Sequence, residues 1–336
     1  MAQTSFNTNN ASTRKVWSEK VMREAYDRSI FAQLNSVKVL EEHVLTGGSG
    51  DTINVPVRAT VTGTPLGEND TLEGNARSMT FTNNQILLVE QKDAVQVKSG
   101  ISKLRTAFEQ DSEMLDVISS KVADDLDQDL FDALILTDPS NSYYSDAGTI
   151  KHTATYATAR AAITASDTIG VKIIRAMKVA AMTGRDNARS KIAKLDMPGV
   201  DYILLMPSEV AEYDLKNNSE YAQAIREAHV RGENNPFFKG SIALLDGVLI
   251  ISHEKVRTFT NAGPGSDVAG GDMYLMGKQA LLTAWGMKPD VWKVEDDWKD
   301  FSAMAYKYIY GTLKTQDTGS KDLGIITGVV ARAGLI

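Results

Sequence analysis

The sequence predicts an α+β fold, and three stretches carry that prediction. Ile101–Leu136 reads as one long amphipathic helix, residues 51–98 alternate as a long β-ribbon, and the last third of the chain is a run of strand-like segments. A mixed α/β stretch lies between helix and final strands. The first and last parts are expected to share one layer, with the middle as a separate lobe.

In chain order, residues 1–13 are polar and read as a loose arm. A helix is expected from Ser12, because Trp17, Val21 and Ala25 fall at i,i+4 spacing, as do Met22, Tyr26 and Ile30. Either it packs on a neighbouring molecule or it is a surface helix of its own domain. Ile53, Val55, Val57, Ala59 and Val61 alternate with polar residues, and Pro56 marks an edge strand. A Gly-rich polar tip follows from Gly63 to Ala76, and the chain returns through Phe81 to Ile86–Val89. A projecting two-stranded ribbon needs another surface to lie on, which points to a second subunit.

Leu104, Phe108, Leu115, Ile118, Val122, Leu126, Leu130 and Leu134 form the long helix's apolar stripe, with one skipped turn at Asp111. Its other face is acidic: Asp111, Glu113, Asp116, Asp124, Asp125, Asp127, Asp129 and Asp132. The stretch from Asp138 to Thr168 reads as an irregular connection with a short helix near Ala157–Ile163. A helix follows at Val171–Met182, with a turn and second helix expected in the basic segment after it. Tyr202–Met206 is a buried central strand, and Ser208 and Ser219 are expected to cap two helices. Asp246-Gly247 between IALL and VLIIS signals a type I′ hairpin. Residues 261–271 read as a flexible loop, and Asp272–Trp285 as a strand running into a short helical or irregular segment.

The 336 residues allow one large domain or two medium ones. A hydrophobic content of 43% is that of a soluble globular chain, and a net charge of −7 excludes bulk attraction to free nucleic acid or an anionic membrane. With no Cys there is neither a disulfide framework nor thiolate chemistry, which fits a reducing cytoplasm. The polar N-terminus is not expected to be a secretory signal, and no apolar run reaches the ~20 residues of a membrane span.

No catalytic, cofactor-binding or metal constellation emerges. His43, His152, His229 and His253 are scattered and read as surface or loop histidines. Asp125-x-Asp127-x-Asp129 imitates a calcium loop but has Leu130 where that loop needs Gly, so a solvated helix face explains it. Gly47–Asp51 is neither a phosphate-binding loop nor a nucleophile elbow around Ser49. The tryptophans at 285, 292 and 298 fall in strand-like stretches and read as core or interface residues.

Taken together, INVPVRATVTGTPLGENDTLEGN from Ile53, YILLMPSEVAEYDLKNN from Tyr202, NPFFKGSIALLDGVLIIS from Asn235, MYLMGKQALLTAWG from Met273 and the end from AYKYIYG resemble the major capsid proteins of tailed bacteriophages, with the Hong Kong phage-type capsid fold. The resemblance extends to the branch containing N4-like podovirus capsid proteins. It implies an N-terminal arm over 1–36, an extended hairpin loop with peripheral-domain strands over 37–100 and a peripheral-domain spine helix over 101–136. It further implies a connection and axial domain over 137–272 and returning peripheral strands over 273–336. Implied inter-subunit contacts are Trp17, Arg58, Gly63, Pro65, Glu68, Asp70, Glu73 and Arg77.

The implied function is structural: hexamers and pentamers of an icosahedral shell enclosing double-stranded DNA, assembled in the host cytoplasm. Further implied partners are packaged DNA held non-specifically and scaffold, portal and decoration proteins, with no membrane and no cofactor. A cellular nanocompartment shell related to encapsulins is the alternative, and a soluble cytosolic enzyme a remote one lacking any catalytic cluster. Some relatives join their shells through a Lys–Asn bond from the extended loop. No Lys occurs here between Lys38 and Lys92, so that linkage does not carry over.

Overall fold

The computed structural model describes residues 11–45, 50–58, 66–68, 71, 81–98, 110–135, 139, 141–146, 148–184, 191–223, 244–296, 301–317 and 321–332. The first part holds α1 (Ala11–Arg28), α2 (Ile30–Ser36), β1 (Leu40–Val44), β2 (Thr52–Arg58), β3 (Phe81–Leu87), β4 (Val89–Lys98) and α3 (Gln110–Ile135). The middle holds β5 (Ser142–Asp146), β6 (Thr149–Thr153), α4 (Tyr156–Ala162), α5 (Val171–Thr183), β7 (Tyr202–Pro207), a π-helix (Val210–Leu215), β8 (Leu244–Leu245) and β9 (Val248–His253). Then come β10 (Thr258–Ala262), β11 (Val268–Met276), β12 (Leu281–Asp296), β13 (Phe301–Lys314), β14 (Gln316–Asp317), β15 (Lys321–Asp322) and β16 (Ile325–Ala331).

Two sheets organise these elements. A four-stranded sheet runs β1-β12-β13-β4, with β12, β13 and β4 antiparallel and β1 parallel to β12. An eight-stranded sheet runs β6-β5-β16-β11-β7-β9-β8, with β10 paired to β11. The ribbon β2–β3 is a separate antiparallel pair, in register from Thr52↔Leu87 to Arg58↔Phe81.

From Gln110 onward the long helix lies on the four-stranded sheet as its stripe requires; Leu104 and Phe108 lie outside the described residues. Leu115, Ile118, Val122, Leu126, Leu130 and Leu134 are all buried, and so are Met304, Tyr306, Tyr308 and Tyr310 at every second position of β13. Trp285 of β12 packs on Tyr310 with ring centroids 4.6 Å apart. Val21 and Ala25 of α1 are fully buried in the same core, and Trp17 and Met22 pack at its edge. The basic-flanked helix thus belongs to its own subunit through this face.

Asp127 departs from the expected solvated face. It is buried, and its carboxylate accepts hydrogen bonds from the Ile30 amide at 3.1 and 3.4 Å. It therefore caps the first turn of α2, whose own Ser29 makes no side-chain cap. Asp125 is also withdrawn from solvent, beside Lys121 at 2.6 Å. His253 is no loose surface residue: it stacks on Phe131 at 4.8 Å, and burial holds it below its ordinary pKa.

The middle lobe confirms β7 as a fully buried central strand. Asp246 (φ 51°) and Gly247 (φ 77°) form the expected I′ turn. Several expectations are corrected. The polar stretch after α3 contains the β5–β6 hairpin, because Asn141, Ser142 and Ser145 are buried at the sheet despite their polarity. The supposed loop 261–271 is largely the β10–β11 hairpin. Gly270 sits inside β11 because a Cβ there would lie 2.2 Å from the Val330 carbonyl oxygen.

Asp272–Trp285 contains no helical segment: β11 turns at Gly277 into β12. Most of the segment expected to hold a second helix, 185–190, lies outside the described residues; 191–195 are extended, with Ile192 and Leu195 buried. Ser208 lies within the helical turn that becomes the π-helix, and Asn218, not Ser219, caps the turn at 219–223, accepting from the Glu220 and Tyr221 amides. Of the final strands, β12 and β13 return to the four-stranded sheet, whereas β16 enters the eight-stranded one between β5 and β11.

Leu126→Ala should lower unfolding free energy by about 2–5 kcal/mol, the cost of a buried leucine truncation. Val117→Ala, at a position on the same helix that is 50% exposed, should change it by less than about 0.5 kcal/mol. Urea denaturation of unassembled subunits measures both.

Candidate inter-subunit surfaces

The ribbon is fixed at its root and open on its outer side. Ile53 and Val55 pack inward with Ile86 and Leu88 against Leu282 and Ala284 on the back of the four-stranded sheet. Buried Asn84 locks this contact: its side-chain amide donates to the Gln316 carbonyl at 3.1 Å and its oxygen accepts from the Gln316 amide at 3.0 Å. Nearby, Lys314 and Asp322 form a 3.0 Å ion pair, each only 2% exposed, which pins the β14–β15 turn to the end of β13.

The outer side alternates the other way. Phe81 and Leu87 of β3 are 59% and 58% exposed, and Val89 at the start of β4 is 50% exposed. β2 pairs only with β3, so its other edge is free among the described residues, as Pro56 foretold. Exposed aromatic and aliphatic side chains beside a free strand edge are what a contact surface looks like before it is covered.

The residues singled out from sequence fall unevenly on this picture. Trp17 is half-buried against its own core, on the other side of the molecule's long sheet from the ribbon. Arg58 ends β2 opposite Phe81, and Glu68 is exposed. Gly63, Pro65, Asp70, Glu73 and Arg77 lie outside the described residues. The apolar residues Phe81 and Leu87 were not singled out, although their place one and four pleats along the returning strand marks the face opposite Ile86.

Two polar clusters brace the body, one in the middle lobe and one at the helix–sheet seam. Asp272 is fully buried, accepting from the Tyr156 hydroxyl at 2.9 Å and the Tyr274 hydroxyl at 3.1 Å and ion-paired with Arg257, whose guanidinium lies 4.2 Å over the Tyr156 ring. It ties α4 and β11 together. At the helix–sheet seam, Tyr308 donates to Gln91 at 2.9 Å and Gln91 donates to Asp129 at 2.8 Å. Burial, with Asp125 and Asp132 nearby, pushes the Asp129 carboxyl up to about 6. Among the described residues no group of His, Cys, Asp or Glu is placed to hold a metal ion, and no helix is long and apolar enough to cross a membrane.

A long helix on a long sheet, a β2–β3 ribbon packed at its root and a compact α/β lobe define the class: a tailed-phage capsid subunit. Solved structures share the fold. The capsid of Ralstonia phage GP4 superposes with a TM-score of 0.70 at 21% identity, covering 89% of this chain and 88% of that one. A chain of the Cyanophage Pam1 capsid asymmetric unit does so with 0.70 at 19% identity, covering 86% and 87%. In sequence, 142 residues are 30% identical to the major capsid protein of Pseudomonas phage KPP25, covering 39% of this chain and 37% of that relative's length. The family model described as phage capsid protein matches residues 8–331. The chain belongs to the phage capsid protein family. It is a structural protein of the phage capsid.

Asp129 gives a pH test of the helix–sheet seam. Its folded pKa of about 6 lies above the ~4 of an unfolded Asp, so its stabilising contribution is complete below about pH 4 and is lost as pH rises through about 6. Asp129→Asn, which can still accept from Gln91, should therefore be more stable than the native chain at pH 7 by about 1 kcal/mol, a figure discounted for the carboxylate's partial exposure. The gap should close towards pH 4. Parallel stability–pH curves would remove Asp129 from the seam's energetics.

Proposed function

We propose that this protein assembles as hexamers and pentamers into an icosahedral shell around double-stranded DNA, with its ribbon lying on the adjacent subunit. The observation that carries this reading is the ribbon itself. Its inner face is packed and locked at Asn84, while its outer face shows Phe81 and Leu87 to solvent beside a free strand edge. A monomer gains nothing from that exposure, whereas a shell covers it.

In this reading residues 1–36 are the arm, 37–100 the extended loop and peripheral strands, 101–136 the spine helix, 137–272 the connection and axial domain, and 273–336 mostly peripheral strands. Trp17, Arg58, Gly63, Pro65, Glu68, Asp70, Glu73 and Arg77 are inter-subunit contacts, where charges set register more than affinity. The net charge of −7 makes the wall weakly repulsive to DNA, so the genome contacts it non-specifically and stays free to slide. Scaffold, portal and decoration proteins complete the partners, and assembly takes place in the host cytoplasm. The likeness of the segments from Ile53, Tyr202 and Asn235 to N4-like podovirus capsid proteins supports assigning the chain to that branch.

Replacing residues 65–75 with a short Gly-Ser turn tests the bridging role. The variant should fold, with a melting temperature close to that of the native chain, and should fail to form closed particles in size-exclusion chromatography and electron microscopy. Regular shells from the shortened protein would withdraw the role from the ribbon tip. An unfolded product would place the tip in the subunit's own core.

A further inference from the structure

The middle lobe carries a protruding tyrosine on one flank and an open pocket on the other. Tyr213 is 41% exposed, on the π-helix Val210–Leu215. A π-helix is rare, costs hydrogen-bond geometry and tends to occur at functional sites. Here it buries Val210, Ala211 and Leu215 against the sheet while turning Glu212 and Tyr213 outward. Glu209 and Glu212 lie on the same helical turn, ion-paired with Arg332 and Lys216 respectively.

The pocket, about 490 Å³, lies between α5 and the β5–β6 hairpin. Its floor is formed by Tyr143, Ile150, Ala176 and Ala180 with the half-buried His152 ring beside Tyr143, and its rim carries Lys151 and Arg175 with exposed Val179. Lys151 is paired with Asp146, while Arg175 is exposed with no ion-pair partner among the described residues. The π-helix packs on β7 and α5 on β16, β5 and β6, so knob and pocket sit on opposite flanks of one helical layer, with β5, β16 and β11 between β6 and β7.

A knob and a pocket on opposite flanks of the same body cannot meet within one molecule or across a two-fold axis. Copies joined head to tail can meet through them, and such an interface generates a ring where the rotation between copies closes. We propose that Tyr213 of one copy seats in the α5–β6 pocket of the next, with Glu212 facing Arg175, and that this contact closes the capsomer ring. The occupant is a second copy of this chain: a tyrosine fits the largely apolar floor, carboxylates beside it complement the basic rim, and buried tyrosines are typical interface anchors. The inference rests on the capsid reading and names the residues through which lobes join.

The test compares the native chain with Tyr213→Ala, Arg175→Glu, Glu212→Arg and the Arg175→Glu/Glu212→Arg double variant. All three side chains are solvent-exposed, so melting temperatures of unassembled subunits should match; Val179→Lys is a second rim variant should one not fold. Mass photometry and electron microscopy should show native rings and shells, about tenfold or greater loss of assembled material for each single variant, and recovery in the double variant. Tyr213→Ala and Arg175→Glu assembling like the native chain would overturn the contact while leaving the shell reading intact. Loss in the singles without recovery in the double would overturn the Glu212–Arg175 pairing. If the native chain itself formed no assemblies, the capsid reading would be what fails.

Discussion

The contact between the apolar stripe of α3 and the tyrosine row of β13 constrains everything else in the molecule. A 26-residue helix spans about 39 Å and a 14-residue strand about 46 Å, so the two can bury each other along their whole length. Each leucine or valine of the stripe reaches the sheet only if β13 keeps Met304, Tyr306, Tyr308 and Tyr310 on one face. That fixes the register of β12 and β4 on either side. α1 adds Val21 and Ala25 to the same core, and Asp127 uses the helix's flank to cap α2. A polar residue in an apolar seam is tolerated because it satisfies an otherwise unpaired amide.

With one face of the four-stranded sheet committed to α3 and α1, the opposite face is left for the ribbon's root. Asn84 and the neighbouring Lys314–Asp322 pair hold that root, so whatever the ribbon does beyond it is done from a rigid base. The middle lobe is built differently. Its eight-stranded sheet borrows β16 from the chain's end, which ties the lobe to the platform through several backbone connections instead of one linker. A shell subunit needs this combination: a stiff body that transmits geometry, and projecting parts whose exposed side chains are satisfied only by neighbours.

The parts of the fold legible in the sequence were those with a strong local period. The stripe from Leu115 to Leu134, the alternation from Ile53 to Val57, the apolar run Tyr202–Met206 and Asp246-Gly247 each specify one geometry. What stayed hidden depended on distant partners. The strand Ser142–Asp146 is polar, and only the docking of β16 makes it a buried strand. Gly270 reads as flexibility but marks close approach to Val330. Asp127 reads as one more acid on a wet face, because its partner Ile30 lies 97 residues away. At the candidate contact surface the β2–β3 pairing was legible from the alternation, whereas the exposure of Phe81 and Leu87 follows only from the register with β2.

Hydrogen–deuterium exchange on free subunits and on assembled particles tests most directly the claim that a rigid platform presents surfaces reserved for neighbours. Amides of α3 and β13 should be equally protected in both states. Those on the unpaired edge of β2, with the π-helix around Tyr213, should gain further protection on assembly. The account would be contradicted if the β2 edge exchanged alike in both states, or if α3 became protected only in the shell.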